Sequence, residues 1–220
     1  MTLSRGVIWS LALGFAIIAI HFLLLLNIWP DAAQDSSMPT FIKNYYAQTL
    51  PNHIKVRPKE FNFHTMLGLS MIALGMAQLS SRIRLWSRRM HRASGILYTI
   101  VGSTTVGTGC FLAPNSYGGY TTAAAFVFIG TYWIIATSRA YWALYKKRFK
   151  DHGVLMAQGM IVAMSLFLSR PFVILQQTYN IEGDINHYFP VSMWASLTCG
   201  ILISDWYANR ERQKLPGRSQ

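Results

Sequence analysis

The sequence predicts an all-α polytopic membrane protein, a six-transmembrane-helix bundle with both termini cytoplasmic. Three observations carry that expectation. Six apolar runs recur along the chain, each of about 20 residues, the length that crosses the hydrocarbon core of a bilayer. Basic residues collect at alternate ends of those runs, as the positive-inside rule requires of cytoplasmic loops. The composition is apolar, with 52% hydrophobic and 14% aromatic residues, although the formal net charge is +12. That composition excludes a basic nucleic-acid-binding module, which the charge alone would suggest.

The first run, Gly6–Trp29, follows a basic start at Arg5. Its apolar stretch is far longer than the ~7–15 residues of a cleavable signal, so it reads as a retained span. Loop Pro30–Glu60 then lies outside the membrane and carries "PTFIKNYYAQTLP" as a short surface-helix candidate. The second run, Phe61–Ser80, leads into "SSRIRLWSRRMHRASG", whose arginines hold the next loop in the cytoplasm. The third, Ala93–Ala113, is rich in Gly, Ser and Thr yet uncharged, and small residues let membrane helices approach closely. The fourth, Thr122–Tyr145, contains Arg139. Pro171 should end or kink the fifth, Val154–Leu175, because it lacks an N–H and clashes with the preceding turn. The sixth, Phe189–Tyr207, holds Asp205 near its inner end, and the tail "NRERQKLPGRSQ" reads as disordered. Tyr145, Trp206 and Tyr207 fall at interfaces, where aromatic rings with one polar edge collect.

These runs form one integral membrane domain over residues 1–220, of which 208–220 is a cytoplasmic tail. Arg5, Arg82, Arg84, Arg88, Arg89, Arg92, Lys146, Lys147, Arg148, Lys150, Arg210, Arg212, Lys214 and Arg218 mark the cytoplasmic side. The other side has Lys43, Lys55, Arg57 and Lys59 in one long loop, with Arg170 at a helix end. The expected location is the bacterial cytoplasmic (inner) membrane, with anionic lipid headgroups against the basic face. Assembly as a homo-oligomer or as a subunit of a membrane complex fits the same surface. Cys110 and Cys199 lie inside different spans, so they are expected to be free.

Three spans open on a histidine whose helical face is small or polar. At about 3.6 residues per turn, His64 shares a face with Gly68, Met71, Gly75, Gln78 and Arg82. His91 shares one with Gly95, Tyr98, Gly102, Thr105 and Gly109, and His152 with Met156, Gly159, Ala163, Leu166 and Arg170. Helix packing alone accounts for such stripes. Depth adds a second reading. His91 and His152 both start at the cytoplasmic face, and two facing imidazoles at one level are what a low-spin haem b needs. The same pair would serve a metal ion or a proton relay. His21 approaches the level of His64 and is the candidate opposite it. Arg139 and Asp205 read as an ion pair, because unpaired charge at that depth is costly. Arg170 looks toward Glu182, Asp184 or an anionic ligand group.

"FHTMLGLSMIALGMAQLSSRIRLWSRRMHRASGILY", followed by "KDHGVLMAQGMIVAMSLFLSRPF", resembles a bacterial membrane-protein family catalogued as domain of unknown function 2306. His64, Gln78, Arg84, His91, Arg92, Gly95, Tyr98, His152, Met156 and Arg170 match its pattern over about residues 61–173. Family members usually carry Arg where this chain has Gln158, and the resemblance implies architecture and candidate positions but no activity. A weaker likeness is to six-span cytochromes b. That pattern also needs a histidine on the fourth span, which Thr122–Tyr145 lacks.

Two functional readings stay open. One is a redox protein holding haem b or a quinone between the third and fifth spans, with His91, His152, His64, His21 and Arg92 as cofactor contacts. The other is a small-molecule or proton binding or transport protein, with Gln78, Tyr98, Met156 and Arg170 as ligand contacts. A non-catalytic accessory subunit competes with both. No Ser-His-Asp order, HExxH or clustered acidic metal motif points to an enzyme.

Overall fold

The structure is a computed structural model, and it describes residues 58–80, 85, 87–169, 172, 175, 179 and 184–213. The first run, the outer loop up to Arg57, His21, Arg82, Arg84, Arg170 and the tail from Lys214 lie outside the described residues. Among those described, the chain is helical, without strands. Five main helices follow in order: α1 (Pro58–Leu79), α2 (Arg88–Leu112), α3 (Gly119–Tyr145), α4 (Phe149–Ser165) and α5 (Ile185–Gln213). Three stretches, Arg88–Asn115, Gly119–Tyr145 and Phe149–Leu168, are long and apolar enough to cross a membrane by length and composition. They correspond to the expected third, fourth and fifth spans.

Local chemistry sets the helix ends. The Ser87 hydroxyl accepts from the Met90 N–H at 3.2 Å, so α2 starts five residues before its apolar run. Pro114 comes two residues after Leu112, the last of α2, and the chain narrows into a 3-10 turn over Ala113–Asn115. Gly118 and Gly119 then take positive φ, 73° and 52°, to reverse the chain into α3. A Cβ at Gly118 would also strike Pro190 of α5, so this turn needs glycine twice over. At the far end of α3, Arg148 N–H bonds Ala143 C=O at 2.8 Å and Lys147 N–H bonds Leu144 C=O at 2.9 Å. Those two bonds are a Schellman cap, and they place Lys147 at φ 58°.

In the fifth run the α-helix tightens to a 3-10 turn over Leu166–Leu168 and is helical again at Ser169. One expectation changes. The segment expected to be a disordered tail is helical to Gln213. Arg210, Glu211 and Arg212 are good helix formers, the arginines suit the negative end of the helix dipole, and the breakers Pro216 and Gly217 come later.

α1 packs on α2, α2 also on α3, α3 on α4, and α4 on α5, with α1 touching α4 more lightly. Where α1–α4 meet, Met71, Ile72, Tyr98, Trp133 and Met160 make one buried cluster. Ile129, Val162 and Leu197 make another between α3, α4 and α5. Outside, Ile96, Ile100, Phe111, Val127, Phe128, Ile134, Leu202 and Ile203 stand exposed. An exterior this apolar is what a lipid-facing surface requires.

Candidate functional site

The histidine-led faces of α1 and α2 cover each other. His64 Nδ1 lies 2.9 Å from Thr108 Oγ1, whose own proton goes to the Thr104 carbonyl at 2.9 Å. The His64–Thr108 contact ties the start of α1 to the end of α2. Toward the other end, Gln78 Nε2 donates to Ser94 Oγ, and the Ser94 hydroxyl donates to the Met90 carbonyl at 2.7 Å. Glycines let the backbones approach between these clasps. A Cβ at Gly109 would press on the His64 ring, one at Gly95 on Gln78, and one at Gly75 on Met160 and Tyr98. The Gly-lined faces of α1 and α2 are packing surfaces in this structure.

Tyr98 turns into the four-helix core and accepts a hydrogen bond from Trp133 Nε1 at 2.8 Å. Met156 packs partly buried against the same cluster. Arg92 is exposed at the start of α2. His152 docks on α3, donating from Nδ1 to the Ala140 carbonyl at 3.0 Å with its ring edge-on to Tyr141 at 6.3 Å. Tyr141 in turn reaches α2 through a 2.8 Å bond to Thr99. The structure thus joins His64 with Thr108, Gln78 with Ser94, and Tyr98 with Met156 by way of the core. His91 and His152 sit on α2 and α4, helices that each pack principally on α3 or α1 rather than on each other. With His152 turned to α3, this arrangement lends no support to a haem or quinone clasped between those helices. Among the described residues no group of three His, Cys, Asp or Glu is placed to hold a metal ion, and Cys110 and Cys199 are free.

A cavity of about 320 Å³ opens elsewhere, between α3, α4 and α5. From α3 it is lined by Tyr132, Ile135, Ala136 and Arg139, and from α5 by Asp205, Ala208, Asn209 and Arg212. Both sets follow the i, i+3, i+4, i+7 spacing that puts residues on one helical face. Leu155 and Gln158 of α4 complete the wall. The Tyr132 hydroxyl meets Ser204 Oγ at 2.9 Å and ties α3 to α5 beside the cavity. All three helices contribute the ends that bear Lys146, Lys147, Arg148, Lys150 and Arg210, so the cavity lies toward the cationic end of the bundle.

The expected Arg139–Asp205 ion pair is absent among the described residues. Asp205 Oδ1 instead accepts from Gln158 Nε2 at 3.3 Å, although Gln158 is only 8% exposed. An amide on the middle helix reaches the carboxylate, and Arg139 lines the same cavity without pairing to it. The sequence pointed to Arg139 and Asp205 as a pair and to Gln158 on its own, and it assigned no role in a site to Tyr132, Asn209 and Arg212. The paired i, i+3, i+4, i+7 stripes were the signal that could have found them.

A family profile described as predicted membrane protein (DUF2306) matches residues 61–208. That range extends past the segment that carried the resemblance and takes in most of α5. No curated protein and no solved structure matches the chain, and nothing in the comparisons supports the cytochrome b likeness.

Proposed function

The chain belongs to the DUF2306 family of predicted membrane proteins, and from that premise we propose that it is a small-molecule-binding membrane protein whose site is the α3–α4–α5 cavity. The single observation behind this reading is the composition of that cavity's wall. Two arginines, an aspartate, a glutamine and an asparagine converge on one space of about 320 Å³, walled otherwise by Tyr132, Ile135, Ala136, Leu155 and Ala208. Convergent polar groups set beside apolar side chains can fix the orientation of a small molecule, and the volume lies at the small end of the range such sites span.

The proposed setting is six spans with both termini in the cytoplasm of a bacterial inner membrane. Supporting it, Arg88, Arg89, Arg92, Lys146, Lys147, Arg148, Lys150, Arg210 and Arg212 all lie at one end of the described bundle. At that end Trp142 and Tyr145 stack at 5.7 Å, with Lys146 Nζ 5.0 Å from the Trp142 ring centre, and Arg210 lies 5.3 Å from that of Trp206. Aromatic rings paired with cations suit the headgroup layer, where anionic lipids are the proposed neighbours.

Native mass spectrometry of the full chain, released from the membrane in mild detergent, tests the binding reading. Wild type should carry a small molecule that Leu155→Trp and Ile135→Trp, which fill the cavity from two sides, both lose while remaining folded. A bound species retained by both variants would place the site elsewhere.

A further inference from the structure

Resting on that reading of the cavity, we infer that its ligand presents an oxyanion bearing a single negative charge, held between Arg139 and Arg212. Neither guanidinium has a carboxylate within 4.0 Å among the described residues. The nearest acid in the wall, Asp205, already accepts from the buried Gln158 amide. Arg139 is seven residues before Lys146, about 10 Å up the helix at 1.5 Å per residue, so it stands inside the level marked by Trp142 and Tyr145. A cation at that depth is costly without a counter-charge. The protein supplies none to it among the described residues, and the cavity provides room for one from outside.

The charge count of the wall points to the class. Two guanidinium groups and one carboxylate leave one net positive charge facing the space, which a monoanion neutralises. A phosphodiester or carboxylate has that charge, and its paired oxygens match the planar fork of an arginine. Asp205 disfavours a dianion and accepts from a hydroxyl or ammonium next to the ligand's anionic group. Two sources offer this chemistry: the headgroup of an anionic phospholipid entering from the membrane, and a free metabolite entering from the aqueous side.

Thermal unfolding of the full chain in neutral detergent, at constant ionic strength, tests the inference with short-chain phosphatidylglycerol, acetate and dihydrogen phosphate as probes. At least one should raise the unfolding midpoint saturably. Arg139→Gln and Arg212→Gln should each weaken that response about tenfold or more, the scale of a lost charge-assisted hydrogen bond. Arg210→Gln, which removes a cation outside the wall, should leave it unchanged, and Arg139→Lys should retain part of it in a fold that keeps the charge. A response to phosphatidylglycerol alone assigns the lipid source, and one to the soluble anions assigns the aqueous source. No saturable shift with any probe, or an equal loss in Arg210→Gln, overturns the inference. If that happens while mass spectrometry still finds a species lost on filling the cavity, the site stands and only its ligand class is wrong.

Discussion

Trp133 donates its indole N–H to the Tyr98 hydroxyl at 2.8 Å, and at 2% and 1% exposure both side chains are almost wholly enclosed where α1, α2, α3 and α4 meet. The rings sit edge to face at 5.8 Å and 62°, a favoured aromatic geometry. A polar clasp therefore stands at the centre of an apolar core. Tyr98→Phe keeps the ring and strands the indole N–H, so it should destabilise the fold by about 1 kcal/mol. Unfolding by denaturing detergent in mixed micelles measures this, and a variant as stable as wild type would refute it.

Glycines on α2 divide by what faces them. A Cβ at Gly102 would overlap the Trp133 ring, whereas one at Gly107 meets nothing within 4 Å. Gly102→Ala should destabilise by about 1–3 kcal/mol through overpacking. Gly107→Ala should be neutral or stabilise by up to about 1 kcal/mol, because alanine is the better helix former. The same detergent titration ranks the two, and the opposite order would contradict the α2–α3 packing.

Lys147 holds φ 58° in the turn between α3 and α4, in the left-handed region that favours glycine. Its N–H and that of Arg148 close the end of α3, so the conformation is fixed by those bonds. Lys147→Gly should stabilise the protein by about 0.5–1 kcal/mol, since the backbone geometry stays and its steric cost disappears. A lower midpoint in the variant would mean that the lysine side chain matters more than the turn.

The positions of α2 to α5 were legible in the sequence because bilayer-length apolar runs mark them. Their ends were not, because ends depend on individual caps such as Ser87 and on the two bonds that stop α3. The small-residue faces led by His64 and His91 were legible as stripes. Spacing on one helix cannot say what covers it, and in the structure each is largely covered by the other or by Trp133. For the cavity, Arg139 and Asp205 stood out as charges at membrane depth, and pairing them was the simplest electrostatic solution. Gln158 defeated it, because a neutral residue on a third helix leaves no mark in a search for opposite charges.

His152 separates the cavity reading from a redox one. Its Nδ1 is committed to the Ala140 carbonyl at 3.0 Å, and Tyr141, bonded to Thr99, lies edge-on to its ring. That hydrogen bond leaves Nε2 as the atom a haem would need, and the cavity reading places no cofactor against it. Purified protein, oxidised and reduced, should therefore show no Soret band even after haem-supplemented expression. His152→Ala should act on stability alone, lowering it by about 1 kcal/mol as the clasp from α4 to α3 is lost. A Soret band that disappears in both His91→Ala and His152→Ala would reverse this assignment, since no packing role for the two histidines would produce it.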